Sequence, residues 1–207
     1  MAELTIPDRP RAARSAQRRQ HLLDTARRLF VEKGFHQAGM AQIAKASGIA
    51  IGQIYRDFAN KEAIVAAICE ANLIAWLEEE KLQAAVDDGD APAIRNWVKR
   101  IVTDELAVED RRLMSELLAE AGRNPTIAAI NRKEDARLRS SLDSALSSLA
   151  PAASECQRAT IADFIISLAW AMLARSEMYP HQDHGMLRQY VADLLDRELT
   201  ALGSHRA

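Results

Sequence analysis

Residues 40–58 read MAQIAKASGIAIGQIYRDF, and this stretch decides the fold of the N-terminal region. Its apolar residues recur at helical spacing on either side of Gly48. This pattern predicts a short helix to Ala46, a tight turn at Gly48, and a second short helix from about Ala50. Glycine suits the turn because it tolerates the positive φ of a sharp reversal. Two short helices joined in this way form a helix-turn-helix.

The second helix of this pair is predicted to have two faces. Ile54 and Phe58 point toward a core that they share with Ile43 of the preceding helix. The remaining positions face outward, and they offer side chains that can contact DNA: glutamine pairs with adenine, arginine with guanine or a phosphate, and a tyrosine hydroxyl with a phosphate. The predicted contact residues are Ile51, Gly52, Gln53, Tyr55 and Arg56, with Gln42 on the outer face of the preceding helix.

A phosphate site is predicted directly after this pair of helices. Asn60 can cap a new helix that begins with Lys61 and Glu62. Backbone N–H groups and the lysine ammonium would then converge at one helix start, which is a favourable place for an anion. Lys61 is therefore predicted to bind a phosphate.

The charge of the chain is unevenly placed, although its net charge is only -2. Residues 1–61 carry 11 Lys and Arg against 5 Asp and Glu, which gives +6, whereas residues 62–207 carry 16 against 24, which gives -8. A basic end on an acidic body favours contact with a polyanion. An arginine-rich arm at residues 1–14 can lie along phosphates or in a minor groove, and a solvated tail is the alternative. We expect nonspecific phosphate contact from Arg14, from Arg18 or from both.

The motif residues resemble the DNA-binding signature of TetR-family (TetR/AcrR) transcriptional regulators over roughly residues 16–66. The resemblance implies that the third helix enters the major groove, and that Tyr55 and Lys61 bind phosphates. It also implies a C-terminal helical domain for ligand binding and dimerisation. The matching residues are Gly34-Phe35, Ile43-Ala44, Gly48-Ile49, Ile54-Tyr55, Phe58 and Asn60-Lys61-Glu62-Ala63-Ile64.

The sequence departs from that signature at three positions. Gly39 stands where the family usually has a threonine, so it can cap the second helix but supplies no side-chain hydrogen bond to DNA. Gln53 replaces a residue that is often threonine. Asp57 stands where the family often has an aromatic residue or histidine, and its charge repels phosphate unless it pairs with Arg56 or accepts from cytosine N4. We expect Asp57 to be a local salt-bridge partner without a DNA contact.

The whole chain is predicted to be all-α, with about nine helices, because apolar residues recur at helical spacing almost throughout. The predicted divisions are a flexible basic arm at 1–14, a helix-turn-helix DNA-binding domain at 15–60, and a helical effector-binding and dimerisation domain at 61–207.

No apolar stretch is expected to span a membrane, and the two cysteines form no metal or disulfide pattern. We expect a cytoplasmic protein without a cofactor or a membrane partner.

Two sets of residues in the C-terminal region are predicted to bind partners: one set a second copy of the chain, and the other a small-molecule effector. A homodimer is expected because one helix-turn-helix offers few contacts, and its interface is predicted on the last two long helices. Aromatic and methionine residues on the inner helices are predicted to line an effector pocket, with plain core as the alternative. The interface residues are Ile165, Leu168, Tyr190 and Leu194. The pocket residues are Trp76, Trp97, Ile101, Met114, Leu117, Trp170 and Met172.

Catalysis is not indicated, because the sequence has no P-loop, G-x-S-x-G, H-E-x-x-H or Rossmann fingerprint. His181 and His184 are expected to be solvated loop residues rather than metal ligands. The predicted function is a sequence-specific DNA-binding transcriptional regulator, a repressor that a small, largely apolar effector releases from a palindromic DNA operator. The alternatives are a helical small-molecule-binding protein with little DNA affinity and an effector-independent DNA-binding dimer.

Overall fold

The structure, a computed structural model, describes residues 9–204 and the side chains of residues 13–204. These residues form helices without a strand, which confirms the all-α prediction. The first helix begins at Arg9 rather than near Ser15. The helices are α1 (Arg9–Lys33), α2 (Met40–Ser47), α3 (Ile51–Asp57), α4 (Lys61–Leu77), α5 (Glu79–Asp87), α6 (Ala91–Thr103), α7 (Val108–Ala121), α8 (Pro125–Leu149), α9 (Glu155–Met178) and α10 (Gly185–Ser204).

Most helix ends coincide with local sequence signals. Gly34 follows α1 at a φ of 78°, a left-handed conformation that glycine adopts without strain. The Asp90 side chain accepts from the backbone N–H of Ala93 at the start of α6. Ser154 and Gln157 form a reciprocal capping box at the start of α9.

Two helix ends have no such signal, which is why the described residues contain ten helices rather than about nine. The α4 helix stops at Leu77, and Glu78 takes a left-handed φ of 49° before α5 begins. The α6 helix stops at Thr103, and α7 begins at Val108. Neither place has a glycine or a proline, so the pattern of turn residues does not reveal these breaks.

The chain divides into two compact units. One, here called the head unit, contains the described residues up to 71 together with residues 116–130. The other, here called the body unit, contains residues 72–115 and 131–204. Helices α4, α7 and α8 contribute residues to both units. The domain boundaries predicted at residues 14 and 60 stay predictions.

The head unit buries the apolar face that the sequence pattern predicts on α1. Phe30 of this helix packs against Phe35, with their ring centroids 5.4 Å apart. The buried residues of α1 are Leu22, Leu23, Ala26, Leu29 and Phe30, and Ile43, Ile54 and Phe58 are buried as predicted. The core therefore fixes α2 and α3 against α1, and leaves the outer sides of both short helices exposed.

The body unit has its own core, built mainly from α6, α8, α9 and α10. Val98, Leu142 and Leu195 are fully buried at its centre. The small residues Ala145 and Ala150 are buried in the same cluster. This unit is a helical bundle of the kind that the C-terminal sequence pattern predicts.

The α9 helix bears on the expectation that no segment crosses a membrane, because a crossing helix must be long and apolar. Among the described residues, its 24 residues meet that requirement by length and composition, with a mean hydropathy of 1.3 in its most apolar stretch. A core helix in a soluble protein passes the same test, and α9 contributes Ile165 and Ile166 to the core. Most of its other large apolar residues, such as Phe164 and Leu168, are partly buried and pack against the same core.

Candidate nucleic-acid interface

The turn between α2 and α3 has the geometry that the sequence predicts. Gly48 is left-handed at a φ of 69°, and Gly39 precedes α2 without any side-chain cap. The Ser47 hydroxyl accepts from the backbone N–H of Ile49 at 3.3 Å. On α1, the Nε2 of His21 donates to the carbonyl of Ser47 at 3.1 Å. These bonds hold the turn from both sides, and so they fix the direction in which α3 leaves it.

The α3 helix presents one buried and one exposed face. Ile54 is fully buried, whereas Ile51 and Tyr55 are 44% and 52% exposed. Gly52 and Arg56 are also exposed, and no atom lies within 4 Å of a Cβ built on Gly52. Ile51 and Tyr55 are therefore exposed to solvent next to Gly52, which has no side chain. This arrangement suits the close approach of α3 to a DNA groove.

The polar side chains of α3 are bonded to one another. The amide Nε2 of Gln53 donates to both carboxylate oxygens of Asp57 at 3.3 Å, and the Gln53 carbonyl accepts from Arg56. Asp57 also lies 3.9 Å from the guanidinium of Arg18 on α1. The ionic partner of Asp57 is therefore Arg18, whereas Arg56 bonds to Gln53.

The ammonium group of Lys61, which is predicted to bind a phosphate, also contacts groups within the chain. Its Nζ donates to the carbonyl of Phe35 at 2.8 Å and to that of His36 at 3.3 Å, and it lies 4.2 Å from the centre of the Phe35 ring. The Asn60 side chain caps α4 by accepting from the backbone N–H of Ala63 at 2.8 Å, as predicted. Lys61 thus ties the start of α4 to the turn after α1.

Further polar and basic side chains of the head unit belong to α1 and α2. Gln42 and Lys45 are exposed on α2, and Lys45 is a basic residue that the predicted contact set omitted. The guanidinium of Arg19 stacks 4.5 Å above the ring of Phe58. Arg14 is exposed at the start of α1, while the side chains of the earlier arginines in the predicted arm lie outside the described residues.

The residues predicted to line a pocket lie mostly in packed core. In the body unit, Trp97 is buried and its Nε1 donates to the carbonyl of Leu77 at 2.6 Å. Met114 is 37% exposed, and Leu117 is buried in the head unit, so the set does not belong to one unit. The remaining members are in the core of the body unit or packed against it, and these are Trp76, Ile101, Trp170 and Met172. The effector pocket stays a prediction.

The residues predicted for a dimer interface have different surroundings. Tyr190 is 61% exposed on α10, as an interface residue requires. Ile165 is fully buried within its own chain, and Leu168 and Leu194 are half-buried. Sequence reasoning missed a stripe of exposed, mainly small residues at helical spacing on α9. These are Cys156, Thr160, Asp163, Ser167, Ala171, Ala174 and Met178.

No group of three or more metal-ligating side chains occurs among the described residues. His184 is buried, with its Nε2 3.3 Å from the carbonyl of Tyr179, whereas His181 is exposed. The expectation that both are solvated therefore fails for His184, because its side chain is buried and bonded to the backbone. Neither Cys69 nor Cys156 takes part in a disulfide bond among the described residues.

Known proteins resemble parts of this chain in sequence. The family model described as bacterial regulatory proteins, tetR family, matches residues 22–68. The HTH-type transcriptional regulator UidR of Escherichia coli K12 is 35% identical over 117 residues, which cover 54% of this chain and 56% of that protein. The HTH-type transcriptional regulator AcrR of Shigella flexneri is 33% identical over 102 residues, or 48% and 47% of the two chains. The chain spans about half the length of the curated relatives it matches.

The fold of the whole chain also has solved counterparts. The structure of Salmonella enterica GusR superimposes with a TM-score of 0.67 at 21% identity, covering 96% of this chain and all of the other. At that identity the likeness concerns the fold alone. The matched relatives are described as regulators and not as enzymes, in agreement with the prediction that this chain is not an enzyme. In its helix-turn-helix, at residues 22–68, the chain is similar to the tetR family of bacterial regulatory proteins, and its all-helical fold is similar to that of GusR.

Proposed function

We propose that the protein is a homodimeric transcriptional regulator that binds a palindromic DNA operator through α3. The exposed face of α3 carries this proposal, because Ile51 and Tyr55 stand in solvent while Ile54 anchors the helix in the core. In this arrangement α3 lies in the major groove, Arg56 and Gln53 face base edges, and Tyr55 contacts a phosphate. Gln42 and Lys61 would contact the phosphate backbone beside the groove, and the open space around Gly52 would allow α3 to approach the DNA closely.

The homodimer follows from the small size of the contact surface. The α3 helix has seven residues, which is too few for tight and specific binding by a single copy. Two copies would read half-sites about 34–36 Å apart, one helical turn of DNA. The exposed stripe of α9 and the exposed Tyr190 of α10 offer a surface for the second copy, since small side chains allow close helix packing.

Repression and its release by an effector complete the proposal. A small, largely apolar molecule would bind in the body unit and favour a conformation that holds the operator less tightly. The α4 helix supports this coupling, because it begins with Lys61 and also carries Trp76. The indole Nε1 of Trp76 is buried without a hydrogen-bond partner among the described residues, and an acceptor on an effector would satisfy it. Acting on chromosomal DNA, the protein would work in the cytoplasm.

Selection of bound duplexes from a random DNA pool by the purified protein at moderate salt tests this function. We expect an inverted repeat to be enriched, with affinity that falls steeply as salt rises because bound phosphates release counterions. Enrichment of no sequence would contradict the proposal and would favour a small-molecule-binding protein with little DNA affinity.

A pair of tyrosine variants makes the test specific to α3. Tyr55→Phe removes one hydroxyl from the proposed phosphate contact, so binding to all sequences should weaken by about threefold to tenfold. Tyr179→Phe removes a similarly exposed hydroxyl from the residue that follows α9 and should leave DNA affinity unchanged. Equal affinities for the Tyr55→Phe variant and the unmodified protein would exclude the assigned phosphate contact.

A further inference from the structure

Asp57 places a carboxylate on the side of the head unit that is proposed to meet DNA, where a negative charge opposes binding. Its side chain is 28% exposed and closes a chain of contacts that links α1 to α3. Arg18 of α1 lies 3.9 Å from one carboxylate oxygen, and the amide of Gln53 donates to both oxygens at 3.3 Å. The Gln53 carbonyl in turn accepts from Nη2 of Arg56.

A glutamine that donates to an aspartate four residues later is common on the surface of this protein. The same spacing occurs at Gln20–Asp24, Gln83–Asp87 and Gln189–Asp193, with distances of 2.8, 2.7 and 2.9 Å. Such pairs stabilise a helix locally by a small amount. The pair on α3 differs because the glutamine carbonyl also accepts from an arginine, and because the aspartate has an arginine partner on another helix.

These bonds decide which side chain of α3 can read a base. A glutamine that reads adenine needs its amide N–H and its carbonyl at the same time. In Gln53 the N–H groups point to Asp57 and the carbonyl is bonded to Arg56. The bond to Gln53 uses one N–H of Arg56, and a guanidinium carries five. The other N–H groups can donate to the O6 and N7 of guanine, the commonest specific contact of arginine in a major groove.

We propose that Asp57 is a positioning residue which, through Gln53, orients Arg56 to read a guanine in each half-site. Asp57 fixes the direction of the Gln53 amide, the Gln53 carbonyl fixes the guanidinium plane, and Arg18 offsets the charge of Asp57. Gln53 then supports the base-reading residue and does not read a base itself. This inference rests on the proposed function, and it replaces the role of Gln53 as a reader of adenine.

Selection from a random duplex pool with single variants tests the inference by the base-pair position at which preference is lost. Arg56→Ala should lose guanine preference at one position of the half-site by about tenfold or more. Gln53→Ala and Asp57→Ala should lose about threefold to tenfold at that same position. Asp57→Asn keeps an acceptor for the Gln53 amide, so it should retain most of the preference.

Charge is separated from positioning by two comparisons. Asp57→Ala and Asp57→Asn remove the same negative charge, so both should raise affinity for random-sequence DNA to a similar extent. Only the alanine variant should lose guanine preference. Asp24→Ala breaks the matched pair on α1 and should leave every base preference unchanged. Thermal unfolding of each variant verifies that the head remains folded.

The outcomes distinguish the inference from the function on which it rests. If the unmodified protein enriches an inverted repeat but Gln53→Ala and Arg56→Ala change different positions, Gln53 reads its own base and the inference is wrong. The inference also fails if Asp57→Ala leaves the guanine preference intact. If the unmodified protein enriches no sequence, the proposed function fails and the inference fails with it.

Discussion

The end of α4 in the body unit forms by a different physical means from the helix ends of the head unit. In the head unit, Gly34 and Gly48 adopt left-handed conformations that glycine reaches without strain, and Asn60 caps α4 with its own side chain. In the body unit, α4 stops at Leu77 before a glutamate in the left-handed region. The head therefore uses residues that are local to the turn, whereas this break in the body depends on partners elsewhere in the chain.

The partners that end α4 lie about 20 residues later, on α6. Nη1 of Arg100 donates to the carbonyl of Trp76 at 2.6 Å, and its Nη2 donates to that of Leu77 at 3.1 Å. Nε1 of Trp97 also donates to the Leu77 carbonyl at 2.6 Å. A left-handed Glu78 costs about 1–2 kcal/mol relative to a helical conformation. Donors that satisfy two terminal carbonyls offset this cost, so a non-glycine residue is stable there.

The largest expected effect comes from removing the distant donor in the body unit. Arg100→Met keeps much of the side-chain volume but leaves the carbonyl of Trp76 without this donor. The free energy of unfolding should fall by about 1.5–3 kcal/mol, measured by urea denaturation. Arg95→Met on the same helix is the control, because Arg95 contacts Asp196 and Thr200 only at 3.4–3.9 Å. It should cost less than about 1 kcal/mol, and equal losses for the two variants would show that the α4 end does not depend on Arg100.

A smaller effect is expected from the local turn of the head unit. Gly48→Ala forces a side chain into the left-handed region and should lower the free energy of unfolding by about 1–2 kcal/mol. Gly52→Ala is the matched control, because Gly52 lies inside α3 with open space around its Cβ position. It should raise the free energy of unfolding by about 0.5–1 kcal/mol. Urea denaturation measures both, and a shift of the same sign in the two variants would exclude a specific role for Gly48.

The smallest effect concerns acid stability in the body unit. Nε of Arg137 donates to Glu79 at 3.0 Å, and a further bond comes from Ser141. Hydrogen bonding from Arg137 lowers the pKa of Glu79 below its ordinary 4.5, because it favours the charged carboxylate. A lowered pKa in the folded state contributes stability above the ordinary pKa, and this stability is lost as pH falls through the folded pKa.

Glu79→Gln should therefore flatten the loss of stability below about pH 5, by less than about 1 kcal/mol because the pair is partly exposed. Urea denaturation at several pH values between about 3 and 6 measures this. Glu80→Gln removes the same charge from the neighbouring exposed position and should keep the unmodified pH dependence. An unchanged pH dependence in Glu79→Gln would contradict the role of Arg137.

Much of the head unit could be predicted because its signals are local. Helical spacing placed Leu22, Phe30 and Ile54 in the core, and Gly48 marked the turn. The bond between Gln53 and Asp57 also follows helical spacing, at four residues apart, although sequence reasoning assigned Asp57 no such bond. The pairing of Asp57 with Arg18 lies beyond local spacing, because it depends on how α1 packs beside α3.

The body unit was less predictable because hydrophobic character does not say which side of a helix is covered. Ile165 was assigned to an interface since α9 is apolar on nearly every side. In the structure its side chain is fully buried within the chain, and smaller residues such as Ser167 and Ala171 form the exposed stripe. Burial of a large apolar side chain removes more apolar surface from water and so stabilises the fold more. The large side chains of α9 therefore lie in the core, and the small ones remain exposed.

The sequence by itself determined the helical class, the helix-turn-helix and its exposed face, because periodicity, glycine conformation and capping act over a few residues. The tertiary structure alone decided where α4 ends, which partners Lys61 and Asp57 take, and which face of α9 remains open. Each of these depends on hydrogen bonds and packing between residues far apart in the chain. Such contacts exist only once the helices have packed, and so the sequence pattern carries no local sign of them.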